Sequence, residues 1–255
     1  MKHLYIILIS LLSISLYAQN GSTLNIMTYN LRFGELGSLE DMAGFIKSEK
    51  ADIVALQECD WKTNRERAPQ QNGKAFVNEL AYHTGMFGVY GKAIDYKDGY
   101  YGVGVLSRYP IIKSERILLP NPAPQKEQRV MLICDIELPD KSILTFISTH
   151  LEVSSADTRA AQISFINEKI KGIKHPVILA GDMNARPFDN EIVSGFSYLL
   201  NMTNTEYTYS SMNPEIKIDY IYGHPKEKME MISTKVHTES KLSDHFPVSS
   251  KVKIK

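Results

Sequence analysis

The chain has 255 residues, with 29 basic against 29 acidic side chains and a formal net charge of zero. That balance provides no general pull toward polyanions, which counts against a broad DNA-binding surface while leaving a local patch open. No repeat, linker or low-complexity segment interrupts it, and the length suffices for a substantial core.

Lys2 and His3 precede an apolar run from Leu4 to Ala18, short of the ~20 residues a membrane span needs and followed by Gln19, with an uncleaved N-terminal anchor as the lesser alternative to a signal. Residues 1–18 are therefore expected to be a cleaved secretory signal and residues 19–255 a single domain, periplasmic or secreted, with no stable span after cleavage. No cysteine stands at the junction to take a lipid. A monomer is expected.

Apolar and alternating runs predict strands over 24–31, 52–57, 102–107, 130–138, 143–149, 177–180, 217–222 and 246–254. Between them lie three helical patterns. The first opens at Ser38, with Asp41 three residues on as in a capping box, and Met42, Phe45 and Ile46 share its buried face. The second covers about 75–82. The third covers about 156–170, with Ala160, Ile163, Ile166 and Ile170 as its apolar stripe. Helices alternate with strands early, whereas 100–149 reads as successive strands, so mixed sheets with outer helices are expected. Roughly ten strands in one chain of this length favour two packed sheets over one. Cys59 and Cys134 fall in strands, and whether they pair or remain two buried thiols is left open.

Polar residues recur at the strand ends. Asn30 interrupts NIMTYN, Glu58 follows the run Ile53 to Leu56, and His150 directly follows a strand. HPVILAGDMNARP stops a buried strand at Gly181-Asp182-Met183-Asn184; Asp219 sits inside KIDYIYG, and Asp244-His245 precede the last strand. Unpaired buried carboxylates are costly, so several at apolar strand ends imply mutual pairing or a shared cation. Carboxylate and amide oxygens suit Mg2+ or Mn2+, and no Cys/His cluster offers a closed zinc site. Imidazoles beside such a cation are suited to acid, base or hydrogen-bonding roles.

The ordered set Asn30, Gln57-Glu58, Ser148-Thr149-His150, Gly181-Asp182-Met183-Asn184, Asp219-Tyr220 and Ser243-Asp244-His245 resembles the endonuclease/exonuclease/phosphatase superfamily of DNase I-like phosphoesterases. The resemblance runs from about residue 24 to 252 and is similar in its connecting segments to a secreted bacterial branch. It implies a four-layered α/β/β/α sandwich of two mixed sheets with outer helices. It also implies Glu58 as principal metal ligand, assisted by Asn30 and Asp244. By the same resemblance Asp182 orients or deprotonates the attacking water and Asn184 holds a phosphate oxygen. His245, oriented by Asp219, contacts the phosphate or acts as base, and His150 assists the leaving group or stabilises the phosphate.

Substrates across the superfamily include DNA, RNA, sphingomyelin and phosphoinositides, so the chemistry alone does not choose among them. Arg32, Arg65, Arg67 and Arg129 are candidate phosphate binders, with solvated surface charge the plainer expectation for Arg65 and Arg67. Tyr101, beside Tyr100, is a candidate to stack on substrate. The expected activity is Mg2+- or Mn2+-dependent hydrolysis of a small or lipid-linked phosphodiester. A secreted nuclease on DNA or RNA is the alternative, less favoured because no basic track is evident. A noncatalytic binding protein would not need all six blocks.

Overall fold

The computed structural model describes residues 21–122 and 127–255; the expected signal segment lies outside the described residues. The chain lays down β1 (Thr23–Asn30), α1 (Leu39–Ser48), β2 (Ile53–Trp61), α2 (Phe76–Thr84), β3 (Phe87–Tyr96) and β4 (Gly99–Ser107). It crosses to a second sheet with β5 (Ile111–Leu118), β6 (Val130–Glu137), β7 (Ile143–His150), α3 (Ala156–Lys171), β8 (Val177–Asp182), α4 (Asn190–Gly195), β9 (Leu200–Asn201) and β10 (Asp219–His224). It then returns with β11 (Met229–Val236) and β12 (Val248–Ile254). The two six-stranded sheets run β11-β12-β1-β2-β4-β3 and β5-β6-β7-β8-β10-β9.

Each sheet contains one parallel pair, β1 with β2 and β7 with β8, and every other pairing is antiparallel. The parallel pairs are those joined by a helix, α1 and α3, because a parallel crossover needs a long connection. Ser38 caps α1 by accepting from the Asp41 amide at 3.0 Å. Met42, Ile46, Phe76 and Leu80 pack on the outer face of the first sheet, and Ile163, Ile166 and Ile170 on that of the second. Between the sheets lie Ile26, Ala55, Leu132, Phe146, Ile178 and Ile221. This is the four-layered sandwich expected from the family resemblance.

Strands β3, β5, β9 and β11 and the short helix α4 carry no clear apolar run in the sequence. The four strands are the four sheet edges. An edge strand is paired on one side and largely solvated, so it carries few of the apolar positions that reveal a central strand. Boundaries also differ: β2 runs on to Trp61 and so contains Glu58, β4 begins at Gly99, Lys217 and Ile218 precede β10, and Phe246 and Pro247 precede β12. Cys59 and Cys134 are free and buried. They lie in different layers, Cys59 beneath the helices and Cys134 between the sheets.

Strand alternation positions the polar ends. In β1, Leu24 and Ile26 face the other sheet, and the same parity carries Thr28 and then Asn30. Likewise Leu144 and Phe146 lead to His150, Ile178 and Ala180 to Asp182, and Ile221 shares its face with Asp219. The registers His150↔Asp182 and Asp219↔Asp182 align these three across neighbouring strands. Gly181 makes the alignment possible, since a Cβ there would stand 2.0 Å from the Thr149 carbonyl oxygen.

Candidate active site

Alternation alone would turn Glu58 away from this row, because Ile53 and Ala55 point between the sheets and Glu58 has the opposite parity. A bulge between Leu56 and Cys59, with Glu58 at φ 57°, re-aims the carboxylate toward the inter-sheet end. There a cavity of about 570 Å³ is lined by Glu58, Tyr101, Arg129, His150, Asp182, Asn184, Asp244 and His245.

Asn30 is buried, donating from Nδ2 to Glu58 Oε1 at 3.2 Å and to Asp182 Oδ2 at 3.1 Å, and accepting from the Arg32 amide at 3.0 Å. Ser243 donates to the Asn30 carbonyl at 2.7 Å, tying the C-terminal block to β1. Asp182 accepts from the Asn184 amide at 2.8 Å, and Asn184 donates from Nδ2 to the Leu151 carbonyl at 2.9 Å. Both histidines approach Asp182 Oδ2 through Nε2, His150 at 3.5 Å and His245 at 3.6 Å.

The two rings have opposite partners at Nδ1. His245 Nδ1 lies 3.0 Å from Asp219 Oδ2, and His150 Nδ1 lies 3.2 Å from Arg129 Nη1. Burial alone would lower the basicity of His245, but the Asp219 and Asp182 carboxylates raise it to about 9. Burial, reinforced by Arg129 and His245, holds His150 well below the ordinary imidazole range. Burial, then the Asp219 carboxylate, pushes Asp182 up to about 7.

This crowding of oxygen ligands suits a hard divalent cation. Glu58 and Asp244 face the cavity with Asp182, and Glu58 also adds to the repulsion felt by Asp182, which a bound cation would offset. Atoms of Asp182, Asp219 and His245 also lie within 4.8 Å of one another, although Asp219 and His245 are already joined. A second such group, Glu49, His237 and Glu239, has the same spacing elsewhere, with Lys235 2.7 Å from Glu239 Oε1.

Arg32 is not among the cavity-lining residues: its guanidinium pairs with Glu35 and Asp244. Arg129 and Tyr101 do line it, both buried. Arg65 binds Asp60 bidentately at 2.6 and 3.0 Å and lies over the rings of Phe33, Tyr96 and Tyr101, so it is a packed structural cation. Arg67 pairs with Glu35 at 2.8 Å on the surface.

Tyr209, whose ring lies 4.8 Å from that of His245, and Glu127, 2.8 Å from Arg129, border the site without any mark in the sequence. Lys217 did carry one, a cation between Ile216 and Ile218 at the start of the strand expected over 217–222. It is 2% exposed, donates to the Asp219 carbonyl at 2.9 Å and lies 4.5 Å from the Tyr220 ring centre. Burial lowers its pKa from 10.5 to about 8, outweighing the attraction of Asp219. The unfolded chain therefore holds this proton more tightly, so folding stability should rise as pH climbs from about 8 toward 10.5. Lys217→Met should remove about 3 kcal/mol of that rise, measured as the difference in urea-unfolding free energy between the two proteins across this range. Parallel pH dependences would refute the burial penalty.

Residues 27–245 match the Endonuclease/Exonuclease/phosphatase family. The chain belongs to this family. Its members are phosphoric ester hydrolases, generally dependent on a divalent metal, and this chain is such a hydrolase. The uncharacterized protein YbhP of Escherichia coli (strain K12) is 26% identical over 245 residues, covering 90% of this chain and 94% of YbhP. The mannosyl-6-phosphatase Bt3783 of Bacteroides thetaiotaomicron VPI-5482 shares the fold at TM-score 0.71 and 18% identity, covering 90% of this chain and 99% of that one. The human Nocturnin catalytic domain, solved with sulfate, does so at TM-score 0.69 and 18% identity, covering 91% and 95%.

Proposed function

We propose that this family member is an exported phosphodiesterase that uses Mg2+ or Mn2+ to hydrolyse a small or lipid-linked phosphodiester. The convergence of Asp182, Asp219, His150 and His245 with Glu58 around one cavity carries the reading. Glu58 and Asp244 are assigned to the cation, which when bound would neutralise charge on phosphoryl oxygens, whereas Asn30, expected as a further ligand, turns its Nδ2 to Glu58 and Asp182 and its Oδ1 to the Arg32 amide and so holds those carboxylates in place. Asp182, held by Asn30 and the Asn184 amide, orients and deprotonates the water that attacks phosphorus in line. Asn184 holds a phosphoryl oxygen. Asp219 holds the His245 ring against the phosphate, and His150 supports the phosphate or the departing group. The cavity wall mixes Arg129, Arg159 and Arg186 with Glu127 and Asp189, which supports a small substrate over a tracked polyanion. Export rests on the N-terminal run after Lys2 and His3.

The test is hydrolysis of duplex DNA, RNA, sphingomyelin, phosphatidylinositol and a small synthetic phosphodiester by protein recovered after export, whose N-terminus should be Gln19. Activity on the lipid or small diester should vanish with EDTA. Removing a ligand that contributes several kcal/mol of charge stabilisation should cost about a hundredfold or more, so Glu58→Gln should fall by that much. Salt-sensitive cleavage confined to DNA or RNA would replace this reading with a nuclease.

A further inference from the structure

We propose that Arg129 is a positioning residue that locks His150 in its Nε2–H tautomer, making His150 a fixed hydrogen-bond donor to the phosphoester and leaving His245 as the one of the two histidines that can transfer a proton. The proposal rests on the phosphodiesterase reading for its catalytic consequence, but its structural content stands on geometry alone.

Arg129 immediately precedes β6, and the register Met131↔Thr149 brings it beside the end of β7, where His150 stands. Its side chain is 7% exposed and its Nη1 lies 3.2 Å from His150 Nδ1. Guanidinium has donors and no acceptor, so the ring nitrogen it faces must be the one without hydrogen. That excludes the Nδ1–H tautomer, and it equally disfavours the imidazolium, which carries hydrogen on both nitrogens. The remaining hydrogen sits on Nε2, the atom on the Asp182 side of the ring. Arg129 is itself held: Nη1 lies 2.8 Å from Glu127 Oε1, and Nε lies 3.9 Å from Glu152 Oε2.

His245 is built the other way. Asp219 accepts at its Nδ1, so a proton can reside on both nitrogens of that ring and Nε2–H can be given up while Nδ1–H stays. A neutral His150 has one proton only, and giving it up would leave an imidazolate. It therefore hydrogen-bonds without transferring, and its contribution should not depend on how basic the leaving group is.

The experiment is 15N-detected NMR of the histidine rings in the full mature protein, with His150→Gln identifying the signals. Wild-type His150 should show bare Nδ1 and protonated Nε2 near pH 7. Arg129→Met should acquire hydrogen on Nδ1, as the other tautomer or as imidazolium, while Arg129→Lys, which keeps a cationic donor, should retain the wild-type pattern. Protonated Nδ1 in wild type, a measurement that needs no variant, or an unchanged pattern in Arg129→Met would overturn the proposal. In kinetics, His150→Gln should slow aryl and alkyl phosphodiesters by the same factor, and a larger loss on the alkyl ester would overturn the hydrogen-bonding role. Failure of the phosphodiesterase reading appears separately, as absence of any metal-dependent diester hydrolysis with the tautomer pattern intact.

Discussion

Asp182→Asn is expected to lower metal-dependent hydrolysis by about a hundredfold or more while leaving thermal unfolding unchanged or raising it. The carboxylate is 1% exposed, ends β8 opposite both His150 and Asp219, and has Nε2 of both histidines within 3.6 Å. Asparagine keeps the volume and an oxygen for the Asn184 amide but cannot take a proton from water. The stability expectation has its own cause. Burial, with Asp219 nearby, raises the Asp182 pKa above its unfolded value, so ionising this group weakens folding as pH rises from about 4 through about 7. Asparagine is free of that penalty, against which stands its poorer match to the Asn30 donor. Steady-state rates paired with calorimetric melting at pH 7.5 check both halves. Near-wild-type turnover would withdraw Asp182 from the chemistry, and a large drop in melting temperature would recast it as a structural residue.

Asp219→Asn is expected to reduce kcat by about a hundredfold to ten-thousandfold with a much smaller change in KM. Both Asp219 oxygens lie near His245 Nδ1, at 3.0 and 3.3 Å, and the residue is 1% exposed. The carboxylate orients the ring and favours its charged form; a neutral amide does the first poorly and the second hardly at all. Its backbone position should survive, because the β8–β10 register and the Lys217 hydrogen bond both act through main-chain atoms of Asp219. An intact circular-dichroism spectrum with lost turnover is the anticipated pair of results. A kcat within tenfold of wild type would make Asp219 a structural partner of His245 and no more.

Much of this architecture was legible in one dimension. Central strands bury both faces or one strict face, so β1, β2, β7 and β8 declared themselves through runs such as Ile53 to Leu56 and Val177 to Ala180. The α1 cap was legible because Ser38 and Asp41 interact locally, within one turn. Polar residues ending those apolar strands marked the site's members, since isolated buried charge is too costly to be casual. The edge strands were not legible, because solvent covers most of their side chains and imposes no period.

The sequence by itself determined the order of the chemical groups and the strands that end in them. Only the tertiary structure decided their partners. Parity would have sent Glu58 toward the helices, and a local bulge, which depends on pairing with β4, turns it back. Nothing in the spacing of Arg129, 21 residues before His150, reveals that a guanidinium opposes one catalytic-site imidazole while a carboxylate opposes the other. Arg32 and, less strongly, Arg65 stand as candidates in the sequence, yet ion pairs with Glu35, Asp244 and Asp60 commit both. Periodicity reports how each residue faces the core of its own strand, whereas charge and tautomer depend on atoms a few ångströms away that belong to distant parts of the chain.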